Sequence, residues 1–192
     1  MDHKLVLFCG PSGSGKTTVV HSLMKDYPHF VFSVSATTRP KRVNEKEGVD
    51  YYFLSEEDFR NKIQQGEFLE WEEVYPGRFY GTLKKQVQEK LDKGNVVLFD
   101  VDVKGGISIR NHFGKQLLDI FIMPPSLTAL KNRLVARESE TAESLEKRLA
   151  KAGLELSFAD QFSYIIVNDD LQKTLREAEL LVDDFIKRKV SQ

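Results

Sequence analysis

The sequence predicts an α/β protein, a mostly parallel sheet with helices on both faces. Three observations point there. Short apolar runs stand at 4–9, 96–99, 117–123 and 164–167, charged helix-favouring stretches separate them, and a glycine-rich turn follows the first run at once. A strand buried on both faces reads as an unbroken apolar stretch, whereas a sheet with one wet face would alternate. Strands that alternate with helices pair in parallel.

The elements follow in order. Residues 4–9 are the first strand, and 16–27 a helix stopped by Pro28. Residues 30–35 and 51–54 read as strands, with the charged stretch 39–50 between them. Ser55 caps a helix that runs to Gln65 and ends at Gly66, with Glu56, Glu57 and Asp58 near its positive end. A helix over 82–93 closes at Gly94, and the apolar strand 96–99 then leads into Asp100 and Asp102. The strand 117–123 is broken by Pro124-Pro125, and 126–153 is long, charged and helix-favouring. A last strand at 164–167 precedes an amphipathic helix over 171–189, capped by Asp169 or Asp170. The stretch 36–83 breaks the rhythm of strand and helix and is the place for an insertion.

Composition narrows the function. At 192 residues the chain suits one globular unit with a small inserted subdomain, and 41% hydrophobic residues allow a real core. Twenty-eight basic side chains against 29 acidic ones argue against a protein that coats nucleic acid or anionic lipid. The single cysteine, Cys9, excludes an internal disulfide, suits a reducing cytoplasm and reads as filler in its apolar run. The run at 5–9 is too short for a secretory apolar segment, and no stretch approaches the length of a membrane span. His3, His21, His29 and His112 lack the spacing of a zinc site.

Gly10-Pro11-Ser12-Gly13-Ser14-Gly15-Lys16-Thr17 fits G-x-x-x-x-G-K-[ST] after a strand and at the start of a helix, the setting a nucleotide phosphate loop requires. Glycines let successive N–H groups turn in around phosphate oxygens, and the helix N-terminus adds partial positive charge. Lys16 supplies a full charge to a transferring phosphate, and the Thr17 hydroxyl can ligate Mg²⁺. Asp100, at the carboxyl end of its strand, lies where open α/β sheets bind ligands and can hold Mg²⁺ through water. Asp100 and Asp102 are two apart, so both can face one side.

Several further segments carry a family resemblance. Ser33-Val34-Ser35-Ala36-Thr37-Thr38-Arg39-Pro40-Lys41-Arg42 and Asp50-Tyr51-Tyr52-Phe53 resemble the GMP-binding segment of guanylate kinases. Phe68-Leu69-Glu70-Trp71, Tyr80-Gly81-Thr82 and Asp100-Val101-Asp102 continue the likeness. Arg133-Leu134 with Arg137, and Lys147-Arg148-Leu149, are similar to the family's lid, and Ile166-Val167-Asn168-Asp169-Asp170 to its stretch near the adenine. The resemblance implies a P-loop sheet with an inserted mixed α/β GMP-binding subdomain at 36–83 and a helical lid at 126–153. The core is then 1–35, 84–125 and 154–192. It implies ATP with Mg²⁺ as phosphate donor, held by Gly10 to Thr18 (Thr18 included) with Arg137 and Asn168. GMP, and dGMP beside it, would be the acceptor. Such an enzyme needs no nucleic-acid, membrane or obligate protein partner.

The chemistry of the acceptor site is legible beside the name. Guanine offers N1–H and a 2-amino group as donors and O6 as acceptor. By resemblance Glu70 and Asp102 take the donors, while Ser35 and Thr82 face O6. Arg39 and Arg42 offer planar forks to the acceptor phosphate, and Tyr51 and Tyr80 offer hydroxyls on stiff rings. No general base is needed, because a phosphate monoester has a second pKa of about 6 and its attacking oxygen is mostly deprotonated already. Catalysis then reduces to alignment and charge neutralisation by Lys16, Arg39, Arg137 and Arg148. Arg133 is equally readable as an ion-pairing helix residue. Three features depart from the family pattern: Lys104 after the second aspartate, Glu138 after Arg137, and the Tyr75-Pro76-Gly77-Arg78 loop.

Other functions fit less well. A catalytically silent guanylate-kinase-like module that binds protein would typically lack a complete phosphate loop. A GTPase switch would need N-K-x-D beside the D-x-x-G match at Asp102–Gly105, and no N-K-x-D exists. Against another small-molecule kinase, for adenylate, thymidylate or a metabolite, the paired carboxylates and the run from Ser35 to Arg42 favour GMP.

Overall fold

The computed structural model describes residues 5–136 and 142–187, with side chains from 145 onward in the second stretch. The strands are β1 (Leu5–Cys9), β2 (Phe30–Phe32), β3 (Ala36–Thr37), β4 (Tyr52–Phe53), β5 (Phe68–Tyr75), β6 (Arg78–Leu83), β7 (Val96–Asp100), β8 (Leu117–Met123) and β9 (Tyr164–Val167). The helices are α1 (Lys16–Asp26), α2 (Glu56–Gln64), α3 (Lys84–Asp92), α4 (Val103–Phe113), α5 (Leu127–Val135), α6 (Ala142–Leu156) and α7 (Leu171–Lys187).

Five strands form one sheet in the order β2-β7-β1-β8-β9, and every pairing is parallel. Side-chain alternation along β1 divides the core. Val6 and Phe8 pack with Val19, Val20 and Leu23 of α1 and Ala178 and Val182 of α7. Leu5, Leu7 and Cys9 pack with Val87 and Leu91 of α3 and Val103 and Ile109 of α4. Both faces are covered, which is why β1 is buried along its whole length. β1 is also the central strand, so the loop that leaves its carboxyl end emerges beside the end of β7.

Residues 36–83 make a second, mixed sheet in the order β4-β3-β6-β5, with its own core of Ala36, Phe59, Phe68, Phe79 and Leu83. The strand expected over 30–35 is divided between the two sheets. Ser33 still donates its N–H to Leu98 of β7 at 2.8 Å, while the Ser35 carbonyl already accepts from Tyr52 at 2.9 Å. The helix expected from Thr82 starts at Lys84, because Thr82 and Leu83 are held in β6 opposite Glu70 and Phe68. The Tyr75-Pro76-Gly77-Arg78 segment is a hairpin turn, with Tyr75 paired to Arg78 and Gly77 at φ 73°.

Helix α4 has no counterpart in the sequence reading. Asp102 caps it, accepting the Gly105 N–H at 3.0 Å. Among its described residues the stretch expected over 126–153 holds α5 and most of α6, which runs on to Leu156; Ser126 caps α5, its hydroxyl accepting from the Ala129 N–H at 3.0 Å. α5 and α6 share a small core of Leu130, Leu134 and Ala152. Asp170, not Asp169, caps α7 by accepting the Lys173 N–H at 2.8 Å. Among the described residues no helix is long and apolar enough to cross a membrane.

Candidate active site

The loop between β1 and α1 winds around its own lysine. Lys16 Nζ donates to the carbonyls of Gly10 at 2.8 Å and Pro11 at 3.2 Å, and lies 4.0 Å from Asp100 Oδ1. Gly15, which caps α1, sits at φ 105°, where a side chain would be strained and would strike the Asn168 amide. Thr17 Oγ1 donates to Asp100 Oδ2 at 2.5 Å, so the hydroxyl and carboxylate expected to serve a metal are in contact. Both are hard oxygen donors suited to Mg²⁺. Among the described residues no cluster of three His, Cys, Asp or Glu could cage a metal alone. A cation here would complete its shell with water and nucleotide oxygens, as Mg²⁺ commonly does.

Two sequence-predicted residues brace this loop from below. Asn168 is buried, donating its amide to the Ser14 carbonyl at 2.7 Å and accepting from Thr174 at 3.2 Å. Its side chain therefore supports the loop, where the sequence reading had it beside the adenine. Arg133 donates to the Asn168 carbonyl at 2.7 Å and approaches the Ser14 carbonyl at 3.4 Å, so it joins α5 to the loop rather than pairing along its own helix. Arg148, from α6, donates to Ser12 Oγ at 3.2 Å and brings a lid cation to the loop's rim. Arg137 lies outside the described residues. Ser12 and Thr18 are exposed at the loop, and Pro11 and Ser14 are buried in it.

The second sheet carries the other group of predicted residues. Arg39 grips Glu45 with both terminal nitrogens, at 2.9 and 2.6 Å, and lies 5.1 Å over the ring of Tyr51. Tyr51 and Tyr80 meet edge to face with centroids 6.1 Å apart. The Arg39 hydrogen bonds and the Arg42 N–H hold the Glu45 carboxyl at about 2, well below its ordinary value. Arg42 itself is exposed. Arg39, Tyr51 and Tyr80 thus form one cationic, hydroxyl-bearing corner, and Arg42 adjoins it through its backbone contact with Glu45.

Glu70 and Asp102 come together although 32 residues separate them. A Cβ on Gly105 would lie 3.0 Å from Glu70 Oε2 and 3.4 Å from Asp102 Oδ1, so both carboxylates stand against this glycine and a side chain there would crowd Glu70. Thr82 Oγ1 donates to Glu70 Oε1 at 2.6 Å. Thr82 is 1% exposed and its hydroxyl proton goes to Glu70, so here it orients that carboxylate. Burial chiefly, then the charges of Asp102 and Glu72, push the Glu70 carboxyl up to about 7 against the Thr82 hydrogen bond. Ser35 stands half-buried between the two sheets. Burial opposes the charge on Asp102, but hydrogen bonds from Glu72, the Gly105 N–H and Lys151 bring its carboxyl below the ordinary range.

Sequence reasoning missed Glu45, Glu72, Glu155 and Lys151. Two of them carried a signal: Glu72 follows Glu70 by two on a strand, and Lys151 follows Arg148 by three on a helix, so each shares a face with a predicted residue.

Comparison with known proteins shows the family. A family model described as guanylate kinase matches residues 2–185. The chain is 48% identical to a guanylate kinase of Bacteroides fragilis over 183 residues, 95% of this chain and 90% of that one. It is 44% identical to one from Salinibacter ruber over 185 residues, 96% of this chain and 98% of that one. Among solved structures, the guanylate kinase of Anaplasma phagocytophilum superposes with a TM-score of 0.71 at 35% identity, covering 96% of this chain and 87% of that one. Family model, relatives and solved fold agree over nearly the whole length, and the chain belongs to the guanylate kinase family.

Proposed function

We propose that the protein transfers the γ-phosphate of ATP to GMP, giving ADP and GDP. The convergence of Glu70 and Asp102 on Gly105, in a chain with an intact phosphate loop, carries this reading. Guanine brings two donors to two acceptors there. Adenine has neither N1–H nor a 2-amino group and would leave buried carboxylates unsatisfied, which is how a polar pocket rejects an analogue.

Each remaining residue has a part. Thr82 fixes Glu70, and Ser35 offers a hydroxyl at the same pocket. Arg39, Arg42, Tyr51 and Tyr80 hold the acceptor phosphate, with Glu45 keeping the Arg39 fork in one orientation. Gly10 to Thr18 wrap the donor phosphates, and Lys16 carries charge to the group in transit. Arg148 reaches that group from α6, and Arg137 is its expected companion. Mg²⁺, held by Thr17 and through water by Asp100, would neutralise charge on the donor phosphates. GMP arrives with its attacking oxygen deprotonated, so these residues align and neutralise without removing a proton. Residues 36–83 serve as the acceptor subdomain and 126–153 as the lid on a core of 1–35, 84–125 and 154–192. A buried lone cysteine supports a cytoplasmic place of work.

Turnover with ATP across GMP, dGMP, AMP, CMP, UMP and dTMP tests the reading. GMP should be preferred by orders of magnitude over the non-guanine acceptors. Equal use of AMP would refute the base assignment, and no turnover with any acceptor would favour a silent binding module.

A further inference from the structure

We propose that Lys151 ties the lid helix α6 to the guanine pocket and is exchanged for guanine when GMP binds. This rests on the reading of Glu70 and Asp102 as the guanine acceptors. Lys151 Nζ lies 3.1 Å from Asp102 Oδ2, the oxygen not used to cap α4, since Oδ1 takes the Gly105 N–H. A guanine donor approaching Asp102 meets this ammonium on the same oxygen. The lysine stands at the pocket as a built-in substitute for the base.

The exchange is inexpensive because Lys151 has other acceptors within reach. Glu155 Oε1 is 3.7 Å away and Glu72 Oε2 3.8 Å away. Four carboxylates, those of Glu70, Glu72, Asp102 and Glu155, crowd this corner; Lys16 acts on Glu155 from the phosphate loop, and Lys104 is largely exposed at 3.7 Å from Glu72. The ammonium can therefore leave Asp102 for Glu155, on its own helix one turn further on, without losing a counter-charge. That step frees Asp102 and at the same time releases α6 from the pocket.

The position of Lys151 on α6 gives the exchange its consequence. Arg148 and Lys151 are three residues apart, hence on one helix face. The first touches Ser12 of the phosphate loop and the second touches Asp102 of the base pocket. One helix thus reads both substrate sites, and the occupant of the base pocket sets how firmly the Arg148 helix is held. Lys151 acts through Asp102 and is a positioning residue.

The test uses Lys151→Met, which keeps the stem and removes the charge, with Lys151→Arg as the conservative control. Calorimetric titration with GMP alone should show Lys151→Met binding about 3- to 5-fold tighter than wild type, the range of a half-exposed ion pair. Lys151→Arg should bind like wild type, and the affinity for ATP should be the same in all three. In hydrogen-exchange measurements, GMP without ATP should speed amide exchange in α6 of the wild type and leave Lys151→Met, already fast, unchanged. Equal or weaker GMP binding by Lys151→Met, a parallel change in ATP affinity, or α6 exchange indifferent to GMP in the wild type would each overturn the proposal. Glu70→Gln in the same titration separates the two readings. If it leaves GMP affinity unchanged, the base assignment itself has failed. If it weakens GMP while Lys151→Met does not tighten it, the coupling alone has failed.

Discussion

Glu70→Gln should weaken GMP binding and stabilise the free protein above neutral pH. The Glu70 carboxyl stands between the Thr82 hydroxyl and the backbone of Gly105, and burial raises it from its ordinary 4.5 to about 7. Between those values the native state holds a proton that the unfolded chain has lost. The Glu70 contribution to stability is therefore fully present below about 4.5, is lost as pH rises to about 7 and changes no further above it. The difference sets an upper bound of about 3 kcal/mol on that loss. A glutamine carries no charge at any pH and can still accept from Thr82. The variant should match wild type near pH 5 and melt higher by several degrees at about pH 8. Binding moves the other way. Losing a charged acceptor costs about 1.5–3 kcal/mol, a roughly 10- to 150-fold rise in Kd for GMP. At pH 7 wild-type Glu70 is half protonated, which reduces the loss by about 0.4 kcal/mol. Thermal melts at both pH values and calorimetric titration with GMP measure the two effects. A variant that melts below wild type at pH 8, or binds GMP equally well, would show that Glu70 is not a buried, charged acceptor for guanine.

Three further substitutions probe the rest of the site. Lys16→Met should retain the fold and lose nearly all transfer, and turnover at the wild-type rate would remove the lysine from the reaction. Arg148→Ala should lower kcat on the order of 10³-fold, softened by Arg137, while calorimetry finds GMP binding intact. Gly105→Ala adds a methyl 3.0 Å from Glu70 Oε2. Steady-state kinetics should show a several-fold higher KM for GMP with an unaltered KM for ATP, even though alanine suits the helix better than glycine by about 1 kcal/mol.

The parts of the site legible in the sequence are those whose chemistry is local. The phosphate loop is eight consecutive residues with one strand before it and one helix after, so spacing alone identifies it. Asp100 was legible because an apolar strand ends on it. Glu70 and Asp102 were reached only through the family likeness, since nothing in either neighbourhood says that Gly105 brings them together. Helix α4 was missed, and its two consecutive glycines are poor helix formers, yet Gly105 serves the close approach of two carboxylates. Asn168 and Thr82 show a different limit. Each lies beside other predicted residues, but a sequence does not say which way a side chain turns, and both turn to brace another residue. Lys151 depends on a partner 49 residues away and had no local signal beyond sharing a face with Arg148.

The central claim is that this chain moves phosphate from ATP to GMP, and following the phosphate tests it directly. The protein is incubated with Mg²⁺, GMP and ATP labelled at the γ-phosphate, and the products are separated. The label should appear in GDP in amounts equal to the ADP formed, with little inorganic phosphate and none of this with Lys16→Met. Label released mainly as inorganic phosphate, or ADP formed at the same rate without GMP, would contradict the account.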